Sequence, residues 1–392
     1  MKRLPLFDEN FSRKFLRPHI QSIAKAVSAQ ICEIKQPGWM TGLAGMAVLL
    51  GESAYFMDEK PNSGDEKSEA LARIMGVIND GFNFPTLAAG LTGILFAFRY
   101  LGERKLIDSD DAHALDEIIP FLKKWGESRI ENGDFDMLHG GLGPLFVLSS
   151  GPGRWADLLV DKWTDSLVDK WADSRIGPYG DLRNIDLGLA HGLPSYLLCL
   201  SNINIQSSQI KTGLNTLLAT ADFTQKHGSV FPTRIKDGLA QYPSRLAWCY
   251  GDAGIGISLM LLEERLLVER FSGLTGVHGI GQKVLELAAE RRDQKNTRVE
   301  DPYLCHGSSG LALIFFKAYL LSKNDKFKEA AQYWTKETLN YLNTSYSPNH
   351  PVTQSPNSPA DPSLLNGLSG IGLTLMAIDK GYLPGWEKGL LL

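Results

Sequence analysis

Cysteine is scarce in this 392-residue chain, with only Cys32, Cys199, Cys249 and Cys305. The opening Met1-Lys-Arg-Leu-Pro-Leu-Phe-Asp-Glu has no apolar core of a signal peptide. Together these exclude a disulfide framework and lead us to expect a cytoplasmic protein. Charge of one sign is missing too: 40 Lys and Arg face 44 Asp and Glu, for a net charge of −4. That leaves no basic excess for nucleic acid and no acidic block for a solvating tail. No run approaches the ~18 apolar residues of a membrane span, so no integral membrane segment is expected. Strand signals are nearly absent, Gly228-Ser-Val-Phe-Pro being the one short candidate.

Glycine, by contrast, is plentiful and ordered. A Gly-x-x-Gly step recurs at Gly42-Leu-Ala-Gly45, Gly90-Leu-Thr-Gly93, Gly140-Gly-Leu-Gly143, Gly192-Leu-Pro-Ser195, Gly251-Asp-Ala-Gly254, Gly307-Ser-Ser-Gly310 and Gly367-Leu-Ser-Gly370. The leading glycines are 48, 50, 52, 59, 56 and 60 residues apart, and only Ser195 breaks the pattern. A steady period of this size marks repeats that bury their apolar faces against one another. Each step opens an apolar stretch of about three turns, such as Gly90 to Tyr100, as a helix buried on both sides requires. Amphipathic helix candidates alternate with these stretches, the clearest being Ser109–Trp125, with Ser109 and Asp110 as caps, and Lys326–Leu342. The expectation is therefore an all-α protein: seven helix pairs in an inner and an outer ring, an α/α toroid occupying residues 1–392 as a single domain.

A glycine at the start of a buried helix lets the incoming loop turn sharply and lets neighbouring inner helices approach. The residues just before it then line one end of the ring, a common place for chemistry. Two before each leading glycine stand Met40, Ala88, Leu138, Ala190, Cys249, Cys305 and Leu365; directly before it stand Thr41, Ala89, His139, His191, Tyr250, His306 and Asn366. Cys249 and Cys305 share a register in successive repeats, and His306 follows Cys305. Two thiolates and an imidazole are a zinc donor set, and three protein ligands leave a fourth position open for water or substrate. Adjacent ligands diverge on a regular helix, so Cys305 and His306 must lie on the turn before Gly307. Cys32 and Cys199 fall in apolar helical stretches and read as core. Two irregularities remain: the near-duplicate 159–166 and 167–174 with its evenly spaced tryptophans, read as a lengthened outer helix, and the proline-rich 343–363, read as an irregular loop.

The motifs Trp248-Cys249-Tyr250-Gly251, Cys305-His306-Gly307 and Ala190-His191-Gly192-Leu193-Pro194, with the seven glycine steps, resemble the lanthionine synthetase C-like proteins, the cyclases of lanthipeptide biosynthesis. The resemblance spans essentially the whole chain, whose length suits a stand-alone cyclase. It implies one zinc ion (Zn2+) held by Cys249, Cys305 and His306, with His191 as catalytic histidine. It further implies that Tyr250 and Arg245 sit beside the metal and that Asp136 is the family's acidic residue, although Asp134 lies only two positions away. Its substrate would be a dehydrated precursor peptide, and its partners a dehydratase and an exporter, with the protein cytoplasmic or peripheral to the membrane.

The implied reaction adds a cysteine thiol to dehydroalanine or dehydrobutyrine. A free thiol, with a pKa near ~8.5, is mostly protonated at neutral pH, and zinc coordination removes that proton. Attack at Cβ makes an enolate that needs a proton at Cα, a task suited to a histidine. Arg245 or Tyr250 would stabilise the enolate. Competing expectations are a related enzyme that adds glutathione to dehydroamino acids and a non-catalytic, zinc-stabilised peptide-binding scaffold. A toroidal glycosidase or terpene cyclase would leave the matched cysteines unexplained.

Overall fold

The computed structural model describes residues 3–57, 65–150, 183–202, 208–268, 278–345 and 360–392. The duplicated tryptophan segment and most of the proline-rich loop lie outside the described residues. Among those described, an α-helix begins directly behind the leading glycine or one residue later in all seven repeats: Leu43–Phe56, Leu91–Glu103, Leu142–Ser150, Leu193–Asn202, Asp252–Val268, Ser308–Ser322 and Leu368–Lys380. Their apolar composition has the expected consequence. Residues 43–53 and 368–378 are buried without interruption.

The chain forms two compact units. In the first, residues 1–115 and 299–387, four of these helices pack in the order 308–322, 368–380, 43–56, 91–103. Amphipathic helices cover them: Arg17–Ser28 on 368–380 and 43–56, Asp65–Asn79 on 43–56, and Asp325–Ser345 on 308–322. In the second, residues 116–298 and 388–392, the helices 142–150, 193–202 and 252–268 follow one another. Ile119–Glu131, Ser208–Ala219 and Ile280–Glu290 pack against them in turn.

The glycine step has a steric cause. Before each inner helix the chain folds back on itself, so that Leu43 N donates to Gln36 O, Leu91 N to Phe84 O, Ser308 N to Asp301 O and Leu368 N to Asp361 O, at 2.7–3.0 Å. In six of the seven repeats a Cβ on the leading glycine would overlap the carbonyl oxygen six residues earlier, as at Gly42 against Gln36 and Gly251 against Arg245, and at Gly140 it would meet the Asp134 carboxylate. Gly251 is further confined by its φ of 86°, a left-handed conformation in which side chains are strained. The second glycine meets the same obstacle one turn on, Gly310 against Leu304 O and Gly370 against Leu364 O. Close approach of the neighbouring repeat is a second constraint here, since a Cβ on Gly93 would overlap the Cβ of Trp39. Ser195, the exception, turns its hydroxyl back to donate to Gly192 O at 2.8 Å.

Three sequence expectations are corrected. Ser109–Trp125 is not one helix: Ser109–His113 is a short helix behind Asp108, and a new helix starts at Ile119 with Pro120 in its first turn. Proline has no N–H to continue a helix but fits its first turn, which places the break. The segment 228–232 forms no strand. Instead β1 (Ile185–Asp186), β2 (Arg234–Lys236) and β3 (Leu239–Ala240) make a small antiparallel sheet in the order β1-β2-β3. The β2–β3 turn is Asp237-Gly238, both at positive φ, the geometry favoured in two-residue hairpins. Cys32, finally, is exposed beyond the end of the 17–28 helix, whereas Cys199 is buried as expected.

Candidate active site and metal ligands

Backbone hydrogen bonds link six of the seven residues that stand two before a leading glycine. In the first unit Met40 N donates to Ala88 O (2.8 Å), Leu365 N to Met40 O (3.1 Å) and Cys305 N to Leu365 O (3.0 Å). In the second, Ala190 N donates to Cys249 O (3.3 Å), which ties the His191 turn to the Cys249 turn. The repeat thus fixes where the chemically able side chains of each turn begin.

His191 is the centre of the second unit's polar cluster. Its Nδ1 lies 2.6 Å from Oδ2 of Asp136, both side chains being about one quarter to one third exposed. The other oxygen of Asp136 accepts from the backbone N of Leu138 (2.8 Å) and His139 (2.7 Å), so the carboxylate is held from both sides. Asp134, the alternative aspartate, pairs with Arg129 and caps Asp136 N. The Asp136 hydrogen bond holds the His191 imidazolium above its ordinary pKa, despite burial, with further support from the charges of Asp136, Asp186 and Cys249. Burial pushes the Asp136 carboxyl up, but its bond to and attraction by His191 outweigh this and hold it below the ordinary value.

The His139 ring stacks on His191 at 5.7 Å, and the Tyr250 ring lies 6.3 Å from His191 on a tilt. The Tyr250 hydroxyl donates to Asp186 Oδ2 at 3.0 Å. Burial and the adjoining Asp186 push the Tyr250 phenol pKa well above its ordinary value. Asp186 ends β1 and its Oδ1 caps Gly188 N at 2.8 Å. The sequence does not single out Asp186, which lies six residues before Gly192 and outside the motifs that carry the family resemblance. Arg245 Nη2 donates to Arg298 O at 2.9 Å, while its buried Nε has no partner among the described groups.

Cys249 is buried, and the turn that carries it is anchored by a buried ion pair. Asp252 accepts from Val230 N (3.0 Å), Phe231 N (2.9 Å) and Arg291 Nη1 (3.0 Å). Arg291 Nη2 in turn donates to Ser244 O (2.8 Å) and Asn296 O (2.6 Å). In the first unit, Cys305 and His306 precede the 308–322 helix on a non-helical turn, and His306 Nε2 lies 3.2 Å from Asp301 Oδ2. Cys249 in the second unit and Cys305 with His306 in the first remain the candidate metal ligands. Two thiols and an imidazole are a donor set that suits zinc.

A family model described as lanthionine synthetase C-like protein matches residues 33–391. The chain belongs to the lanthionine synthetase C-like family. A solved structure of nisin cyclase matches with a TM-score of 0.72 over 98% of each chain, at 18% identity. The fold is accordingly that of nisin cyclase, an α/α toroid. Comparison with the curated proteins finds no match. No described helix of this family member is long and apolar enough to cross a membrane.

Proposed function

We propose that this lanthionine synthetase C-like protein is a zinc-dependent cyclase that joins cysteine thiols of a dehydrated precursor peptide to dehydroalanine or dehydrobutyrine, residues 1–392 acting as one cyclase domain. The observation that carries it is the Ala190 N to Cys249 O bond, which joins the turn of the His191–Asp136 pair to the turn of a cysteine from the candidate metal group. A bare zinc scaffold has no use for an imidazole with a raised pKa beside a ligand turn.

Cys249, Cys305 and His306 would hold the zinc, which when bound keeps a substrate thiol as thiolate at neutral pH. His191 receives the thiol proton, and Asp136 fixes its ring and balances the imidazolium charge. As the C–S bond forms at Cβ, the alkene electrons move to the amide oxygen as an enolate. His191 then returns the proton to Cα, so the thiol hydrogen ends on carbon and nothing else is consumed. Arg245 would stabilise the enolate oxygen through the charge of its guanidinium rather than through Nε, which is buried. Tyr250 has its hydroxyl hydrogen committed to Asp186, which favours a shaping role beside His191 over donation to the enolate.

A competition assay distinguishes this cyclase from a glutathione transferase. The zinc-loaded protein is given a dehydrated peptide that contains one cysteine, together with free glutathione. Ring closure without glutathione adducts is the expected result. Adducts in place of rings would make the enzyme an intermolecular thiol-adding one.

A further inference from the structure

The position six residues before the leading glycine is aspartate in four repeats: Asp134, Asp186, Asp301 and Asp361. Each spends Oδ1 on the same local bond, accepting the backbone N–H two residues on: Asp136 (3.2 Å), Gly188 (2.8 Å), Tyr303 (2.9 Å) and Ser363 (2.7 Å). This bond shapes the turn and needs only one carboxylate oxygen. The second oxygen is used differently in each place. In Asp134 it meets Arg129, in Asp186 it accepts the Tyr250 hydroxyl, and in Asp301 it lies 3.2 Å from Nε2 of His306.

We propose that Asp301 is a positioning residue for the metal site, holding Nε2–H of His306 so that Nδ1, the nitrogen nearer the backbone, is the one presented to the metal. This rests on the zinc site proposed above. A ligating histidine generally donates its other ring N–H to a carboxylate or carbonyl, which fixes the tautomer, sets the ring plane and strengthens the donor nitrogen. Here the carboxylate is already rigid, because the turn bond to Tyr303 N holds it on the same loop as the histidine. Asp301 is about one fifth exposed and His306 about one third, so water competes only partly for the contact. A turn aspartate common to several repeats thus acquires a second task in the one repeat whose leading glycine is preceded by a candidate histidine ligand.

The test is zinc affinity, measured by competition with a chromophoric chelator, in the wild type, Asp301→Asn and Asp361→Asn. Asparagine keeps the Oδ1 acceptor for the turn in both variants. At position 301 its amide N–H groups would face His306 Nε2, which favours the tautomer with the proton on Nδ1 and blocks ligation. Asp361 makes the same turn bond but stands ahead of Asn366, with no histidine there. Asp301→Asn is expected to weaken zinc binding by about 10–100-fold, and Asp361→Asn to leave it unchanged. Equal affinity in Asp301→Asn and wild type would overturn the role of Asp301 while leaving the zinc site standing. Equal losses in the two variants would do the same, by reducing both to turn-makers. A wild type that binds no zinc would overturn both proposals. Nitrogen-15 shifts of His306 in the zinc-loaded wild type give a readout independent of any variant's folding. A metal-bound Nδ1 with protonated Nε2 is expected, and a metal-bound Nε2 would overturn the proposal.

Discussion

Nδ1 of His191 and Oδ2 of Asp136, 55 residues apart in sequence, are held 2.6 Å from each other. Each raises the other's preference for its charged form: His191 is held above its ordinary 6.5 and Asp136 below its ordinary 3.8. The pair's contribution to stability is therefore complete between those two ordinary values. It is lost as pH rises through the folded-state value of His191, and as pH falls through that of Asp136. Asp136→Asn is expected to lower the titration midpoint of His191, followed by the nitrogen-15 shifts of its ring, and to move the matching limb of the pH–rate profile in the same direction. An unmoved midpoint would mean the contact does not persist in solution.

His191→Asn should retain zinc, because His191 lies on a different turn from the three candidate ligands. Its ring-forming rate should fall by roughly the 10²–10⁴-fold that a lost general acid–base costs. Metal analysis and peptide turnover on one preparation check this. Loss of the metal would make His191 a ligand, and full turnover would remove it from the mechanism.

The glycine register was legible in the sequence because its cause is local and repeated: in repeat after repeat a Cβ would meet a carbonyl six residues back. That cause also fixed where the inner helices begin, and with them Cys249, Cys305, His306 and His191 at the helix starts. Less legible were features that depend on partners far along the chain. Asp186 earns notice only once the Tyr250 hydroxyl, 64 residues on, is seen to reach it. The β2–β3 hairpin did carry a signal, Asp237-Gly238 between short runs, but its strands are only two or three residues long. Pro120 likewise marked the break in the 109–125 segment, against an amphipathic pattern that runs straight through it.

Gly251→Ala puts a methyl group where Arg245 O already lies, at a φ of 86°. The strain falls on the turn that carries Cys249 and Tyr250. A loss of about 1–3 kcal/mol is expected, as for other overpacked positions, read as a lower Tm. Ser195→Gly, which restores the common repeat residue, is expected to be far milder. A neutral Gly251→Ala would show that the loop opens freely there.

Far from the turns, Glu52 is buried against Tyr100 (2.7 Å), Arg104 (2.7 Å) and Lys380 (3.4 Å), which join three inner helices of the first unit. Burial pushes its carboxyl up, yet the hydrogen bonds from Arg104 and Tyr100 and the charge of Lys380 win and hold it ionised. Glu52→Ala leaves two cations without their counter-ion, and a cost of about 3–5 kcal/mol is expected in denaturant unfolding. Glu52→Gln should cost less. A change near zero would mean that water replaces the carboxylate.

The central claim is that this chain closes thioether rings. A dehydrated peptide with a single cysteine, incubated at mildly acidic pH with the zinc-loaded protein, the zinc-stripped protein or buffer, is treated with a thiol-alkylating reagent and weighed by mass spectrometry. At that pH the uncatalysed thiolate fraction is small. The account predicts that only the zinc-loaded protein yields peptide that takes up no alkyl group, its thiol having been consumed. Full alkylation in all three samples would contradict it.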